Sequence, residues 1–199
     1  MTALQWPELY FIRHGQTDWN AEARLQGQAE TDLNETGRAQ ATGNGRRLAG
    51  LIADAAAYDF VASPMRRTRE TMERLRAAMG LAPEAYRTEP RLIEVHFGDW
   101  QGFTLPELEA RRPGSIAARE ADKWNFLPPG ASAESYRMLA DRVRPWLEAL
   151  DRPSVCVTHG GIIRSVFRIV EDMPAAQAAA MPVPQDRILE LRDGRLRWL

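Results

Sequence analysis

The sequence is poor in the side chains that build disulfides and metal centres. Its 199 residues include one cysteine, Cys156, and three histidines. A single thiol cannot form an intramolecular disulfide, which fits a reducing compartment. A four-ligand zinc site would need carboxylates to complete so small a set of thiolates and imidazoles. We therefore expect a protein that acts without a metal ion, and no feature of the sequence predicts a cofactor.

The chain also lacks a strong net charge and a long apolar run. It carries 26 basic and 27 acidic residues, a formal net charge of -1, so it lacks the field that non-specific nucleic-acid binding requires. No apolar run has the length of a membrane span. Residues 1–11 lack the basic segment and long apolar core of a signal peptide. We expect a cytoplasmic protein with a small-molecule partner, and neither nucleic acid nor membrane.

What the chain does have is the composition of an ordinary globular protein, with 44% hydrophobic and 27% charged residues. A chain of this length can bury roughly 70% of the surface that the unfolded chain exposes. We find no internal repeat, no low-complexity tract and no linker. The sequence therefore predicts one domain across residues 1–199.

Short apolar runs alternate with helical patterns along this domain. The runs predict strands at residues 9–13, 59–63 and 154–158. They are followed by predicted helices at residues 35–51, 64–79 and 162–170, with Pro64 in the first turn of the second. Such alternation is typical of an α/β fold in which helices flank a mainly parallel sheet, as a three-layer sandwich.

The remaining segments predict further helices and a hairpin. Residues 104–126 read as helices broken at Pro113 and Gly114, and a long amphipathic helix is expected near 133–150. Residues 186–199 alternate apolar and polar side chains around Asp193 and Gly194, which is a common hairpin signal.

Polar residues suited to anion chemistry follow each predicted strand. His14 and His159 come directly after the first and third strands, and Arg66 and Arg67 lie after the second. In parallel sheets, ligands gather at the carboxyl ends of the strands. We therefore expect two histidines and at least one arginine to converge at one edge of the sheet.

Several motifs in a fixed order resemble one known family. The segment RHGQTDWN at 13–20 is similar to the Arg-His-Gly signature of the histidine phosphatase superfamily, the phosphoglycerate mutase-like proteins. Later blocks resemble that family's further motifs: RLQG at 24–27, LNETGRAQA at 33–41, SPMRRTRET at 63–71, RLIEVHFGDWQG at 91–102 and VTHGGIIR at 157–164. A series of this length is far more specific than any one short pattern.

The resemblance implies a role for each matching residue. It makes His14 the residue that is phosphorylated and Glu94 the proton donor. It makes Arg13, Arg67 and His159 the residues that bind the phosphoryl group, and places Asn20, Gln26 and Gly27 around the substrate. Gly160 opens a helix after His159, so we expect it to offer a backbone N–H to the substrate. The short interval between Glu94 and His159 and the FGDWQG segment resemble the phosphatase branch, so we expect a metal-independent phosphoric monoester hydrolase that forms a phosphohistidine intermediate.

These residue types suit that chemistry. An attacking imidazole needs a neutral nitrogen facing phosphorus, so its other nitrogen should donate to a fixed acceptor, which we expect to be a backbone carbonyl near Gly15. Gly15 itself should let the phosphate approach the backbone. Arginine forks bind two phosphate oxygens at once. Glu94 would protonate the leaving alkoxide and then act as base for the attacking water.

Some points stay open at this level. Arg67 fits the family spacing better than Arg66. We interpret Arg66 as a solvated or rim charge and His96 as an accessory residue. The sequence does not determine the substrate or the orientation of the basic residues in 104–130. It also does not determine the oligomeric state, and a homodimer is one of the states considered. A phosphoglycerate mutase and a non-catalytic phosphate-binding module are the alternative functions, and the presence of both a nucleophile and an acid argues against the module.

Overall fold

The strands that carry the site form from short runs of apolar and β-branched residues. The computed structural model describes residues 6–199, so residues 1–5 of the segment inspected for a signal peptide lie outside it. Within the described residues the strands are β1 (Leu9–Arg13), β2 (Asp59–Ala62), β3 (Arg87–Thr88), β4 (Ser154–Thr158), β5 (Ile188–Arg192) and β6 (Arg195–Trp198).

These strands form one sheet in the order β3-β2-β4-β1-β5-β6. β2 pairs in parallel with β3 and β4, and β4 pairs in parallel with β1, whereas β5 and β6 are antiparallel to their neighbours. The predicted mainly parallel sheet is confirmed. Arg13 lies opposite Thr158 and Ala62 opposite Val157, so the carboxyl ends of β1, β2 and β4 meet at one edge.

Helices cover both faces of this sheet. In the part of the chain that the structure describes they are α1 (Asp18–Ala21), α2 (Glu35–Leu51), α3 (Arg66–Ala78), α4 (Leu105–Arg111), α5 (Ser115–Ala121), α6 (Tyr136–Glu148), α7 (Gly160–Val170) and α8 (Ala175–Ala180). No helix between residues 6 and 199 is long and apolar enough to cross a membrane.

The side chains of β1 alternate between two cores, as the two-residue period of a strand requires. Leu9 and Phe11 pack into a core with the apolar faces of α6, α7 and α8, whereas Tyr10 and Ile12 pack into a second core with α2 and α3. The predicted three-layer α/β sandwich is therefore confirmed.

Two predicted boundaries after the second strand were wrong. β2 ends at Ala62 and not at residue 63, and α3 begins at Arg66, so Pro64 precedes the helix and is not part of its first turn. Met65 has extended backbone angles. The Thr68 hydroxyl lies within hydrogen-bonding distance of the Ser63 and Met65 carbonyl oxygens, and these contacts stabilise a bend between strand and helix.

Other elements differ less from the prediction. The long helix begins at Tyr136 because Ser135 caps it, accepting a hydrogen bond from the Met138 N–H at 3.2 Å. The predicted hairpin is confirmed, and Asp193 and Gly194 have the positive φ values that its two-residue turn needs. β3 and α8 were not predicted, since two residues and six residues are too short to show a period.

Helices α2 and α3 approach each other closely at Gly45. A β-carbon built there would lie 2.4 Å from the Leu75 carbonyl oxygen and 2.8 Å from the Ala78 β-carbon. At Gly43, two residues earlier in the same helix and exposed, a β-carbon would meet nothing within 4 Å.

We predict opposite effects of alanine at these two positions. Gly45→Ala should lower the free energy of unfolding by about 1–3 kcal/mol, because the added methyl group forces the helices apart. Gly43→Ala should raise it by about 0.5–1 kcal/mol, because alanine is the better helix former. Urea unfolding followed by circular dichroism measures both. Equal unfolding midpoints for the two variants would contradict the close helix contact.

Candidate active site

His14 lies at the carboxyl edge of the sheet, directly after β1. Its backbone N–H donates to the Thr158 carbonyl at 2.9 Å, and its carbonyl accepts from the Gln185 amide at 3.0 Å. Its ring nitrogen Nδ1 lies 2.8 Å from the Gly15 carbonyl oxygen. A carbonyl only accepts, so the proton is on Nδ1 and Nε2 keeps its lone pair. The predicted hydrogen bond to a backbone carbonyl at Gly15 is confirmed.

The surroundings of His14 keep its imidazole neutral. The ring is almost fully buried, with 3% of the residue exposed. Burial lowers its pKa well below the ordinary value, and the nearby cations Arg67 and Arg13 lower it further. A neutral imidazole with a free lone pair is the form that can act as a nucleophile.

The structure gives Gly15 a further role. A β-carbon at Gly15 would lie 2.2 Å from the Gly37 carbonyl oxygen, so the glycine is needed for the contact with the first turn of α2, and its predicted closeness to a bound phosphate stays a prediction. The Gly15 N–H donates to the Thr71 hydroxyl at 3.1 Å, and that hydroxyl donates to the Arg67 carbonyl at 2.7 Å. These contacts fix the loop after β1 against α2 and α3.

Arg67 enters the site from the first turn of α3 and is fully buried. Its Nε donates to His14 Nε2 at 3.3 Å, and its two terminal nitrogens donate to the Ala29 and Gly27 carbonyls at 2.8 and 2.7 Å. Burial lowers its pKa to about 10, so it is still a cation at neutral pH. Of its five N–H groups, two remain for a ligand.

The neighbouring Arg66 faces solvent. It is exposed and forms an ion pair with Asp32 at 2.9 Å, and its backbone N–H donates to Glu30. Successive residues of a helix point about 100° apart, so only one of the pair can face the site. The expectation that Arg67 and not Arg66 enters the site agrees with this placement.

Arg13, the last residue of β1, lines the same cavity. One terminal nitrogen donates to the Val183 carbonyl at 2.8 Å, while its Nε is buried without a hydrogen-bond partner among residues 6–199. Burial lowers its pKa to about 10. A buried donor without an acceptor costs about 1–3 kcal/mol, and an anionic ligand would remove that cost.

His159 follows β4 and precedes α7. Its Nε2 lies 2.8 Å from the Ser63 hydroxyl, its Nδ1 is buried without a partner, and its ring centroid is 5.2 Å from that of His14. Burial and then Arg67 lower its pKa well below the ordinary value. Ser63 was missed as a site residue; its position at the end of the second predicted strand was the available signal.

Glu94 lies beside the amino terminus of α7. Both carboxylate oxygens accept from the Gly161 N–H at 3.1 Å, and one also accepts from the Val95 N–H at 2.9 Å. A β-carbon at Gly161 would lie 2.3 Å from this carboxylate, so any larger residue there would displace the Glu94 side chain from its present position. Sequence reasoning selected Gly160 and missed Gly161, although the pair of glycines after the histidine was a visible signal.

The four residues predicted to surround the substrate all line the cavity: Asn20, Gln26, Gly27 and Gly160. Gly27 has a φ of +53°, and its carbonyl accepts from Arg67. The Asn20 side-chain oxygen accepts from the Gln185 amide and the Thr17 N–H, which leaves the Asn20 amide hydrogens free for a ligand.

The cavity has a volume of about 190 Å³, below the roughly 300–1,000 Å³ of sites for drug-sized ligands. Of the nine predicted site residues, eight line it and His159 does not. The other lining residues are Arg24, Leu25, Phe97, Arg119, Lys123, Tyr136 and Arg164. Two of the basic residues left open by the sequence, Arg119 and Lys123, therefore face the site. Arg111 instead stacks on Phe103 at 3.9 Å. Among residues 6–199, no group of three or more His, Cys, Asp or Glu side chains is arranged to hold a metal ion.

The fold and this cavity define an α/β protein with an anion-binding site built around a neutral imidazole. The chain belongs to the histidine phosphatase superfamily (branch 1), whose family model matches residues 9–198. The resemblance predicted from the sequence motifs is confirmed.

Individual relatives carry phosphatase names. The chain is 36% identical to the glucosyl-3-phosphoglycerate phosphatase of Mycobacterium tuberculosis, over 87% of this chain and 79% of that protein. It is 33% identical to the metal-independent phosphoserine phosphatase of Arabidopsis thaliana, over 96% of this chain and 79% of that protein. A solved structure of the mycobacterial glucosyl-3-phosphoglycerate phosphatase with VO3 superposes with a TM-score of 0.79, at 33% identity over 97% of this chain and 96% of that one. The predicted assignment to the phosphoric monoester hydrolases is confirmed, and a mutase is less supported.

We predict that His14 and His159 stay neutral at pH 6 in the ligand-free protein. An ordinary histidine has a pKa of about 6.5 and is mostly charged at pH 6, but burial lowers the pKa of both rings. The unfolded chain then binds more protons than the folded one below pH 6.5, so these two groups make the free energy of unfolding fall as the pH drops. Nitrogen NMR of the rings measures this, with the urea-unfolded protein as control. A charged His14 ring at pH 6 would refute it.

Proposed function

We propose that this chain hydrolyses a small phosphate monoester by transferring its phosphoryl group first to His14 and then to water. The observation that carries the proposal is the neutral His14 ring, whose proton is fixed on Nδ1 and whose Nε2 lies 3.3 Å from the Nε of buried Arg67, in a cavity that Arg13 also lines. The chemistry of phosphoryl transfer consists mostly of positioning and charge stabilisation, and this cavity supplies both.

The arginines and the second histidine would bind the phosphoryl oxygens. Arg67 has two N–H groups without a partner, and the Arg13 Nε and His159 Nδ1 are buried without one. Arg13 and Arg67 line the cavity beside His14, and the His159 ring lies next to the His14 ring. A monoester dianion bound there would satisfy these donors and offset both guanidinium charges.

In the first step, Nε2 of His14 forms a bond to phosphorus as the bond from phosphorus to the ester oxygen breaks. The electron pair of that bond goes to the leaving oxygen, which takes a proton from Glu94. The ring gains positive charge, which the hydrogen bond from Nδ1 to the Gly15 carbonyl stabilises.

In the second step, water attacks phosphorus along the path that the alcohol has left. Glu94 takes a proton from this water, and the electron pair of the nitrogen–phosphorus bond returns to His14. Inorganic phosphate is released, and both residues are back in their starting protonation states. Asn20, Gln26, Gly27 and Gly160 would contact the phosphoryl group or the ester around this path.

Several predictions made from the sequence stay predictions. These predictions are metal independence, the cytoplasmic location, the single domain across residues 1–199, and the oligomeric state, for which a homodimer was considered. Each calls for direct measurement. The esters to screen first are those named for the relatives, glucosyl-3-phosphoglycerate and phosphoserine. A mutase would isomerise 3-phosphoglycerate faster than it releases phosphate.

We predict that brief exposure to substrate in the presence of EDTA places acid-labile, base-stable phosphate on His14. His14→Ala should abolish this labelling and lower turnover by roughly 10³-fold or more, because the covalent route is lost. His96→Asn is the matched control, since His96 lies outside the cavity and accepts a backbone hydrogen bond from Gly98. Quenched-flow labelling with peptide mapping checks the site. Unchanged turnover in His14→Ala would refute the mechanism, and loss of activity in EDTA would refute metal independence.

We predict that Glu94→Gln slows esters with poor leaving groups more than esters with good ones. An alkyl ester needs a proton on its leaving oxygen, whereas a nitrophenolate leaves without one, so the loss should be about 10²–10⁴-fold for the alkyl ester and much smaller for the aryl ester. Rates of alcohol or phenol release in the first turnover measure this step. An equal loss for both esters would show that Glu94 does not protonate the leaving group.

A further inference from the structure

The segment that carries Glu94 has no regular secondary structure. Residues 93–97 belong to no helix or strand, so their backbone N–H and C=O groups have no regular ladder to join. Backbone groups that are shielded from water need hydrogen-bond partners from elsewhere in the protein. Because Glu94 lines the active-site cavity, the partners that fix this segment also fix the carboxylate.

Side chains from two distant places bind the carbonyl groups of this segment. Arg142, in the middle of α6, donates from one terminal nitrogen to the Arg91 carbonyl at 2.7 Å and to the Ile93 carbonyl at 3.0 Å. The side-chain amide of Gln28 donates to the Glu94 carbonyl at 2.9 Å. The peptide groups on both sides of the Glu94 α-carbon are therefore held by side-chain donors.

Glu134 binds the same segment two residues after Glu94. Its carboxylate accepts a hydrogen bond from the His96 N–H at 3.2 Å, and its own N–H donates to the His96 carbonyl at 2.8 Å. The Gln28 amide nitrogen also lies 3.4 Å from this carboxylate. The backbone is thus fixed both before and after the acid.

Arg142 and Glu134 are joined by a two-point ion pair. Nε of the arginine lies 3.1 Å from one carboxylate oxygen, and its second terminal nitrogen lies 2.9 Å from the other. The two side chains are only 24% and 18% exposed, so salt screens this pair less than a pair on the open surface. A fork-to-fork pair also fixes the direction of both side chains. The pair therefore ties residues 91–96 to α6 and to the residue that precedes it by two.

Neither member of this ion pair lines the active-site cavity, and Gln28 does not line it either. Any effect of these side chains on the reaction must therefore pass through Glu94. The Glu94 carboxylate is oriented by the Gly161 N–H of α7 at 3.1 Å. Because Gly161 belongs to a different element, that contact depends on where the backbone of Glu94 is held.

We infer that Arg142 and Glu134 are positioning residues, which hold Glu94 where its carboxyl group meets the leaving oxygen of the ester. This inference rests on the proposed function, in which Glu94 protonates that oxygen. Proton transfer needs the two heavy atoms within about 2.6–3.2 Å of each other. A displacement of about 1 Å can lower a rate by roughly 10²-fold, so a shift of residues 93–96 would weaken the acid without removing it.

The test uses Arg142→Met and two esters, an alkyl phosphate and a nitrophenyl phosphate, in first-turnover measurements. We expect the rate of alcohol release to fall by about 10- to 100-fold, and the rate of nitrophenol release to fall much less, because nitrophenolate leaves without a proton. Arg142→Lys keeps the charge but loses the fork. It should show the same preference at a smaller size, which keeps the comparison possible if Arg142→Met does not fold.

A double variant shows whether the effect passes through the acid. When Glu94 is already glutamine, the further change Arg142→Met should lower the rate on the alkyl ester very little, because there is no acid left to position. Residues that act through one another give losses that do not multiply, whereas independent residues give losses that do.

Arg197→Met is the matched control. Arg197 forms an ion pair at 2.7 Å with the buried Glu190 on the β5–β6 hairpin, outside the cavity, so its loss should change stability and leave the ratio of the two ester rates as in the wild type. Equal losses on both esters in the Arg142 variants, or losses that multiply in the double variant, would overturn the positioning role. Glu94→Gln alone reports on the proposed function: if it shows no dependence on the leaving group, the acid role of Glu94 fails and this inference fails with it.

Discussion

The burial of two guanidinium groups beside two neutral imidazoles is the constraint on which the rest of this site depends. Arg13 and Arg67 are cations in a largely desolvated position, and desolvation of a charge costs several kcal/mol unless other groups compensate it. Compensation here comes from main-chain carbonyls, those of Gly27 and Ala29 for Arg67 and of Val183 for Arg13. Carbonyls orient a guanidinium without neutralising it, so the positive charge stays available for a ligand.

Because main-chain carbonyls are the acceptors for these two arginines, loops that are distant in sequence are fixed around the edge of the sheet. The acceptors for the arginines lie in the loops after α1 and before β5, and the Gln185 amide binds both the His14 carbonyl and Asn20. The contact between Gly15 and Gly37 then fixes the loop after β1. The Glu94 carboxylate acts on both arginines from the same cavity, and its charge partly opposes the fall in their pKa that burial causes.

The sequence was sufficient to predict the convergence of the site, because parallel strands share one edge and the polar residues follow the strands directly. His14, Arg67 and His159 lie where that argument expects them. Glu94 follows no predicted strand, so its placement, like the choice of Arg67 over Arg66, came from the family resemblance. The roles of Gly15 and Gly161 depend on contacts with residues far along the chain, and the inward orientation of Lys123 depends on how an irregular segment packs. No local pattern encodes such contacts.

The hydrogen bond between Arg67 and His14 connects binding to reactivity. In the ligand-free structure the Nε of Arg67 donates to Nε2 of His14, so the lone pair required for attack is occupied. At 3.3 Å this contact is longer than a typical hydrogen bond to nitrogen or oxygen, and little free energy is needed to exchange it. A phosphoryl oxygen is a better acceptor than a neutral imidazole, because it is charged. Under the proposed mechanism, an ester bound beside Arg13 and Arg67 would take over this donor, and the same event would free Nε2 of His14 to attack phosphorus.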